Sequence, residues 1–333
     1  MNTTRNSSEN NLNTIIQDYI DVIRLSRSEN TTRSYANAMA AFTTAIEEHG
    51  LDPNKIQVRD ISEEWILWFT TYLKNYSPAT EQLYIVAVTR FYQYLVAEEI
   101  ASVNLHRVQM IVQSRSRRPG QRLPQFPKED IEIAIDYAQS LPGKQYKDDQ
   151  EHLRNLRDAA FIVTLADTGM RVHEICNLRR GDVDWNEHKA IVTGKGDQQA
   201  IIRFSSRSIR LLKTYLNIRG TIDGATGRPL PSLPLFARHD KGAGKKIKPI
   251  TTATGRNIIK QRIYEVLGDR AKGIITPHSF RHYFVTNVLH GSGGNLKLAQ
   301  ELARHKNIQV TQRYAHLSND EIDRSYFEIF EDS

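Results

Sequence analysis

Apolar residues recur at helical spacing through nearly the first hundred positions of the chain. Ile15, Ile16, Tyr19, Ile20 and Ile23 fall three and four residues apart, which predicts an amphipathic helix over residues 12–26. A second helix begins at the Thr31-Thr32 caps, carries Tyr35, Met39, Phe42 and Ile46 down one face, and stops at Gly50. Ser62 opens a third. Glu63 and Glu64 stand in its first turn, where carboxylates suit the positive end of the helix dipole, and Trp65, Trp68, Phe69 and Tyr72 form an aromatic stripe. Ser77-Pro78 supplies the cap and first residue of a fourth, which runs on through Leu83, Ala87, Phe91 and Leu95. The aromatics read as core, and the four helices predict an all-α bundle over residues 12–106, behind a polar, disordered segment 1–11.

The pattern then changes. Residues 107–125 interleave Arg115, Arg117, Arg118 and Arg122 with Ser, Gly and Pro, the composition of an exposed linker. Its arginines serve solubility or lie along a phosphate backbone, and the sequence leaves both open. Helical spacing resumes in KEDIEIAIDYAQSL, which Pro142-Gly143 stops, and again in LRNLRDAAFIVTLADTG, with Gly169 as its C-terminal cap. A short helix over Val172–Leu178 follows, from which Glu174 can reach back toward Arg171. AIVTG and AIIRF predict two short strands, with GKGDQQ as a hairpin tip bearing Lys195. The fold class is mostly α with a small β-sheet.

Length and charge sharpen this picture. A chain of 333 residues with 39% hydrophobic content suits two cores. The formal net charge is +7, and it is unevenly spread: residues 1–118 carry 12 basic and 13 acidic side chains, whereas Lys189 to Lys248 holds 13 basic and three acidic. Too few acids stand there to pair with the bases, so that stretch, Lys245 and Lys246 included, predicts a surface for a polyanion. The single cysteine, Cys176, excludes an internal disulfide and a cysteine metal cluster. No apolar run suggests a membrane span or a secretion signal, and an intracellular protein is expected.

Candidate chemistry concentrates between Thr276 and Leu317. Thr276-Pro277 breaks the preceding structure, and FRHYFVTNVL continues helically, so His278 and Arg281 share one face of a first turn. Free backbone N–H groups and the dipole favour an anion there. His305 and Tyr314 follow. A phenol with a pKa of about 10 is roughly one part in a thousand ionised at neutral pH, so as a nucleophile it needs nearby positive charge or a proton acceptor. Arginines and histidines supply both, and guanidinium groups match the charge that gathers on phosphoryl oxygens. This is most of an active site for phosphoryl transfer, the rest of the chain supplying what it lacks, and nothing in the chemistry requires a metal or a nucleotide cofactor.

The ordered motifs T-G-x-R-V-x-E, G-K-G, T-P-H-x-x-R-H, a histidine, and a tyrosine nine residues on within V-T-Q-R-Y-A-H-L resemble the tyrosine site-specific recombinases of the phage-integrase and Xer type. The resemblance covers the chain from about residue 12. It implies a helical core-binding domain over 12–106 and an α+β catalytic domain over 126–317, together a clamp around DNA, with a C-terminal helix over 318–333 that docks on a neighbouring protomer. It implies further that Arg171 and Arg281 clamp the scissile phosphate, that His305 donates to it, and that Tyr314 is the nucleophile. His278 assists proton movement, Lys195 protonates the leaving 5′-hydroxyl, and Glu174 supports Arg171. Tyr326 is a rival to Tyr314, but only Tyr314 stands at the family spacing; His282 sits beside Arg281 and His316 close after Tyr314, so some of the histidines here are expected to be merely structural. One departure is visible: the family has Leu-Gly-His where this chain has Leu302-Ala303-Arg304-His305, and glycine there can hold a backbone conformation that arginine resists.

The expected partner is double-stranded DNA with an inverted-repeat core site, bound by a tetramer on paired sites, with an accessory directionality factor possible and nucleoid association implied. With about ten polar residues ahead of the first helix in this sequence, an arm-binding domain is not expected. Supercoil relaxation by the same chemistry, as in a type IB topoisomerase, and a purely architectural DNA-binding role are the alternatives.

Overall fold

The computed structural model describes residues 11–117, 127–193, 199–240, 247–271 and 273–315. The chain divides into two units, Met1–Gln121 and Arg122–Ser333, each with its own core.

In the first unit α1 (Leu12–Ser26), α2 (Glu29–Glu47), α3 (Glu64–Tyr72), α4 (Pro78–Ala97) and α5 (Leu105–Arg115) pack around Tyr19, Phe42, Phe69, Phe91 and Tyr92. Phe42 meets Phe69 edge-on at 5.4 Å between ring centroids, an arrangement that favours aromatic pairs. Helix α2 starts earlier than the Thr31-Thr32 expectation, because Ser28 is its cap and accepts from the Thr31 backbone N–H. Leu83 is exposed instead of joining the α4 core face, which Ile85, Val88, Phe91, Tyr92 and Leu95 define.

The expectation of an exposed linker from residue 107 needs correction. Asn104 caps a fifth helix, α5, whose Val108 is fully buried. Beyond it Arg117 is anchored to the bundle: Nε and the backbone N–H donate to the Glu81 carboxylate at 2.5 and 2.8 Å, and Nη2 donates to Tyr76 O at 2.6 Å. Lys74 Nζ donates to the same carboxylate at 2.9 Å. Glu81 is completely buried, so these partners are what allow it to stay charged. Arg117 is therefore tied to the bundle, with its side chain 37% exposed. Arg115 lies in the last turn of α5, and Arg118 and Arg122 fall outside the described residues.

The second unit is built on α7 (Asp149–Thr168), whose residues from Leu156 to Ala166 are buried without a break. Helices α6 (Lys128–Ser140), α9 (Ser206–Gly224), α10 (Thr252–Leu267) and α11 (Pro277–Gly291) surround it, with Phe161, Tyr215, Phe236 and Phe280 at the centre. Short α8 (Val172–Asn177) leads to an antiparallel sheet of β1 (Val183–Asp184), β2 (Lys189–Thr193) and β3 (Gln199–Arg203), in that order. Ile191 pairs with Ile201 on the exposed face, while Ala190, Val192 and Ile202 turn inward. Both strands begin one residue earlier than expected, and β1 was not anticipated, since two residues carry no alternating pattern. The hairpin tip with Lys195 lies outside the described residues, as do Lys245 and Lys246. Helices α12 (Leu296–Ala303) and α13 (Ile308–Ala315) close the described chain, and the expected helix over 318–333 lies beyond them. Among the described residues no helix is long and apolar enough to cross a membrane.

Replacing Arg117 by alanine would leave Glu81 buried with Lys74 as its remaining side-chain partner. The expected cost is about 2 kcal/mol, read as a lowered denaturation midpoint for the first-unit transition of the full-length protein; an unchanged midpoint would return Arg117 to the surface.

Candidate active site

Four segments remote in sequence converge in the second unit. The first is the turn after α7. Gly169 ends that helix in the left-handed conformation, φ 58°, and a Cβ at this position would lie 2.4 Å from the Phe284 ring, so only glycine fits. Arg171 then caps α8. Its backbone N–H donates to Glu174 Oε2 at 2.9 Å, and its Nη1 donates to Glu174 Oε1 at 2.9 Å. The carboxylate, 2% exposed, thus fixes one edge of a guanidinium that is 42% exposed and turned toward solvent.

Thr276 and Pro277 start α11 as expected, with Ser279 Oγ accepting from the Thr276 N–H at 3.1 Å. Arg281, 3% exposed, donates through Nη1 to Gly169 O at 2.5 Å and through Nη2 to Ala303 O. Both carbonyls sit at helix C-termini, where acceptors lack intrahelical partners and the dipole is negative.

Helix α13 presents Tyr314, 4% exposed, whose hydroxyl is hydrogen-bonded to His282 Nδ1. His278 stands edge-on to His282 at 5.0 Å between centroids, one turn before it on α11. The His305 ring lies 6.3 Å from the Tyr314 ring and nearly parallel to it. His305 Nδ1 pairs with Thr311 Oγ1 at 2.9 Å, and with the hydroxyl donating, Nε2 carries the proton and becomes a donor. The structure thus brings Arg171, Glu174, His278, Arg281, His305 and Tyr314 together.

It also adds a residue and corrects an expectation. His282 is not a bystander: it holds the Tyr314 hydroxyl. The motif placed it beside Arg281, but sequence alone could not tell that one helical turn from His278 it would meet α13. Nor does Arg304 resist the conformation that glycine would take. It adopts φ 57° and ψ 45° as the C-cap of α12 and donates through Nη2 to Glu174 Oε2 at 2.9 Å.

The electrostatics are those of a crowded cationic site. Burial, then the neighbouring Arg171 and Arg304, hold Arg281 down to about 10. Burial also lowers Arg304, with Arg171 adding to the effect against the pull of Glu174. Burial raises Glu174, but Arg304 and the Arg171 contacts outweigh it and keep the carboxylate below its usual range. Burial, followed by adjacent cations and imidazoles, lowers His282 and His305 each to about 4, and His278 in the same direction. All three imidazoles are therefore neutral at pH 7, able to accept a proton from a phenol or donate one hydrogen bond each. Among the described residues no group of His, Cys, Asp or Glu could hold a metal ion.

A tyrosine hydroxyl on an imidazole, facing arginines with charge to spare, is equipped for phosphoryl transfer through a covalent tyrosyl intermediate. Comparison with known proteins agrees. The phage integrase family model matches residues 139–321, and the phage integrase N-terminal SAM-like domain matches residues 16–99. The chain is 27% identical to tyrosine recombinase XerC of Staphylococcus aureus (strain NCTC 8325 / PS 47), over 93% of its length and 95% of the relative's. It is 28% identical to tyrosine recombinase XerD of Mycobacterium leprae (strain TN), over 91% and 92%. Its fold resembles that of the XerH site-specific recombinase bound to palindromic difH substrate, with a TM-score of 0.67 and 19% identity over 94% of this chain and 83% of the other. The Tn1549 transposon integrase in complex with a circular intermediate DNA gives 0.63 and 16%, over 95% and 99%. The chain belongs to the phage integrase family and is a tyrosine recombinase, an enzyme of site-specific DNA strand cleavage and rejoining.

The lowered histidines set a pH dependence for the protein without DNA. An unfolded imidazole titrates near 6.5, so the unfolded state binds protons that folded His282 and His305 refuse until about pH 4. Their contribution is complete above pH 6.5 and is lost as pH falls from 6.5 to 4. Melting temperatures across this range should fall for the wild type and fall less for a His282→Gln, His305→Gln double variant; parallel curves would contradict the assignment.

Proposed function

We propose that Tyr314 Oη attacks the scissile phosphorus of a DNA strand, forming a 3′-phosphotyrosyl bond as the bond from phosphorus to the 5′-oxygen breaks. The observation that carries this reading is the Tyr314–His282 hydrogen bond beside three guanidinium groups. His282 takes the phenolic proton. Its low proton affinity in the free protein rises when a phosphate anion enters beside it, because an adjacent negative charge favours the imidazolium form. His278, stacked edge-on to His282, supports that proton movement. Arg171 and Arg281 hold the non-bridging oxygens, and His305 donates to one of them through Nε2. Lys195, which lies between β2 and β3 in sequence, gives its proton to the departing 5′-oxygen. A 5′-hydroxyl from the partner strand then reverses each step and restores the phosphodiester, so the energy of the bond is conserved.

The partner is double-stranded DNA. The basic stretch from Lys189 to Lys248 supplies phosphate contacts, which makes affinity fall steeply with salt. Residues 12–106 grip the core site and 126–317 cut it, with inverted repeats matching paired protomers and a tetramer joining two sites. Residues 318–333 dock between protomers in that assembly, an accessory factor sets direction, and the enzyme works on the nucleoid in the cytoplasm. Neither relaxation alone nor a purely architectural role accounts for the named relatives.

A duplex nicked beside the scissile phosphate traps the covalent product, because the short 5′-fragment diffuses away. Wild type should accumulate a protein–DNA adduct, and Tyr314→Phe should accumulate none while binding the duplex with an affinity within about threefold of wild type. An adduct that survives Tyr314→Phe would sink the nucleophile assignment.

A further inference from the structure

Arg304 has a charge that the scheme above does not use. Its left-handed backbone, φ 57°, disfavours any side chain with a Cβ, so the contacts of the guanidinium must offset that cost. The side chain is only 11% exposed, and Nη2 donates to Glu174 Oε2 at 2.9 Å. Nε and Nη1 are buried and donate to nothing among the described residues. Two unfilled donors on a buried cation are unfavourable unless a ligand accepts from them. Glu174 is already engaged, with Oε1 accepting from Arg171 Nη1 and Oε2 from the Arg171 backbone N–H as well as from Arg304.

Arg171, Arg281 and Arg304 therefore stand around one carboxylate. Arg171 and Arg304 are joined through Glu174, and Arg281 is bound to the carbonyl of Ala303, the residue just before Arg304. Three guanidinium groups against one carboxylate leave two positive charges uncompensated, where glycine at position 304 would leave one. The excess charge and the unfilled donors call for an anion with several acceptor oxygens.

We propose that Arg304 is a third guanidinium of the phosphate clamp, with Nε and Nη1 donating to non-bridging oxygens of the scissile phosphate. The inference rests on the phosphoryl-transfer reading above. As Tyr314 Oη bonds to phosphorus, negative charge on the phosphoryl oxygens increases, so a donor fixed in place by Glu174 stabilises the transition state more than the bound duplex. Arg304 thus acts on the rate of strand cleavage and little on DNA affinity.

Arg304→Gly tests this, because glycine accepts the left-handed backbone without strain and keeps the fold, which a thermal melt verifies. Single-turnover cleavage of the nicked duplex should slow at least tenfold, with the duplex Kd within threefold of wild type. A methylphosphonate at the scissile position, made as each diastereomer, removes one charged non-bridging oxygen and separates direct contact from an effect relayed through Glu174. A direct contact predicts that the fall shrinks to within threefold on one diastereomer. Wild-type cleavage by Arg304→Gly, an equal loss of affinity and rate, or persistence of the full fall on both diastereomers would each overturn the proposal. Failure of the wild-type protein to cleave at all would overturn the phosphoryl-transfer reading instead, and the inference with it.

Discussion

A buried guanidinium bridging the ends of two helices holds the catalytic unit together at its site. Arg281 donates to Gly169 O, where α7 turns, and to Ala303 O, where α12 stops. Each carbonyl needs an acceptor's partner that its own helix cannot give, and each lies at the negative end of a dipole. Satisfying both with one side chain brings the Arg171 turn and the His305 loop against α11. Gly169 must be glycine for this to happen, because its left-handed turn and the packed Phe284 ring both exclude a Cβ. The cation most exposed to the cost of burial is thus also the one that sets the geometry of the others.

The same arrangement leaves the site electrostatically incomplete. Arg171 and Arg304 share Glu174 as their carboxylate while Arg281 donates to backbone carbonyls, and burial, then the neighbouring imidazoles and cations, keep the three imidazoles neutral. A phosphate group relieves this tension in two ways. In the proposed reaction it accepts from donors that are otherwise idle and raises the proton affinity of His282, whose Nδ1 already holds the Tyr314 hydroxyl. Substrate binding and nucleophile activation are then one electrostatic event, which suits an enzyme that must not expose an activated tyrosine before its DNA is in place.

Much of this was legible in the sequence, for reasons that differ by residue. Helical periodicity and caps gave α1, α3, α4, α6, α7 and α11 within a few residues, since each buries a continuous apolar face and begins or ends at a strong local signal. The ordered motifs identified the family and gathered six of the site residues. What escaped was set by tertiary contact. Helix α5 buries little more than Val108, so its pattern was weak, and Arg117 looked like linker because its partner Glu81 lies 36 residues earlier. His282 gained meaning only when α13 packed on α11. Arg304 read as an obstacle to the backbone, whereas its contact with Glu174, 130 residues away, gives it a reason to be there.

The account stands or falls on the identity of the nucleophile. Proteolysis of the trapped protein–DNA adduct, followed by mass spectrometry of the peptide that carries the nucleotide, identifies the attached side chain directly. The expected result is a single modified peptide with a 3′-phosphate ester on Tyr314; attachment at Tyr326 or at any serine would contradict the geometry described for α11 and α13.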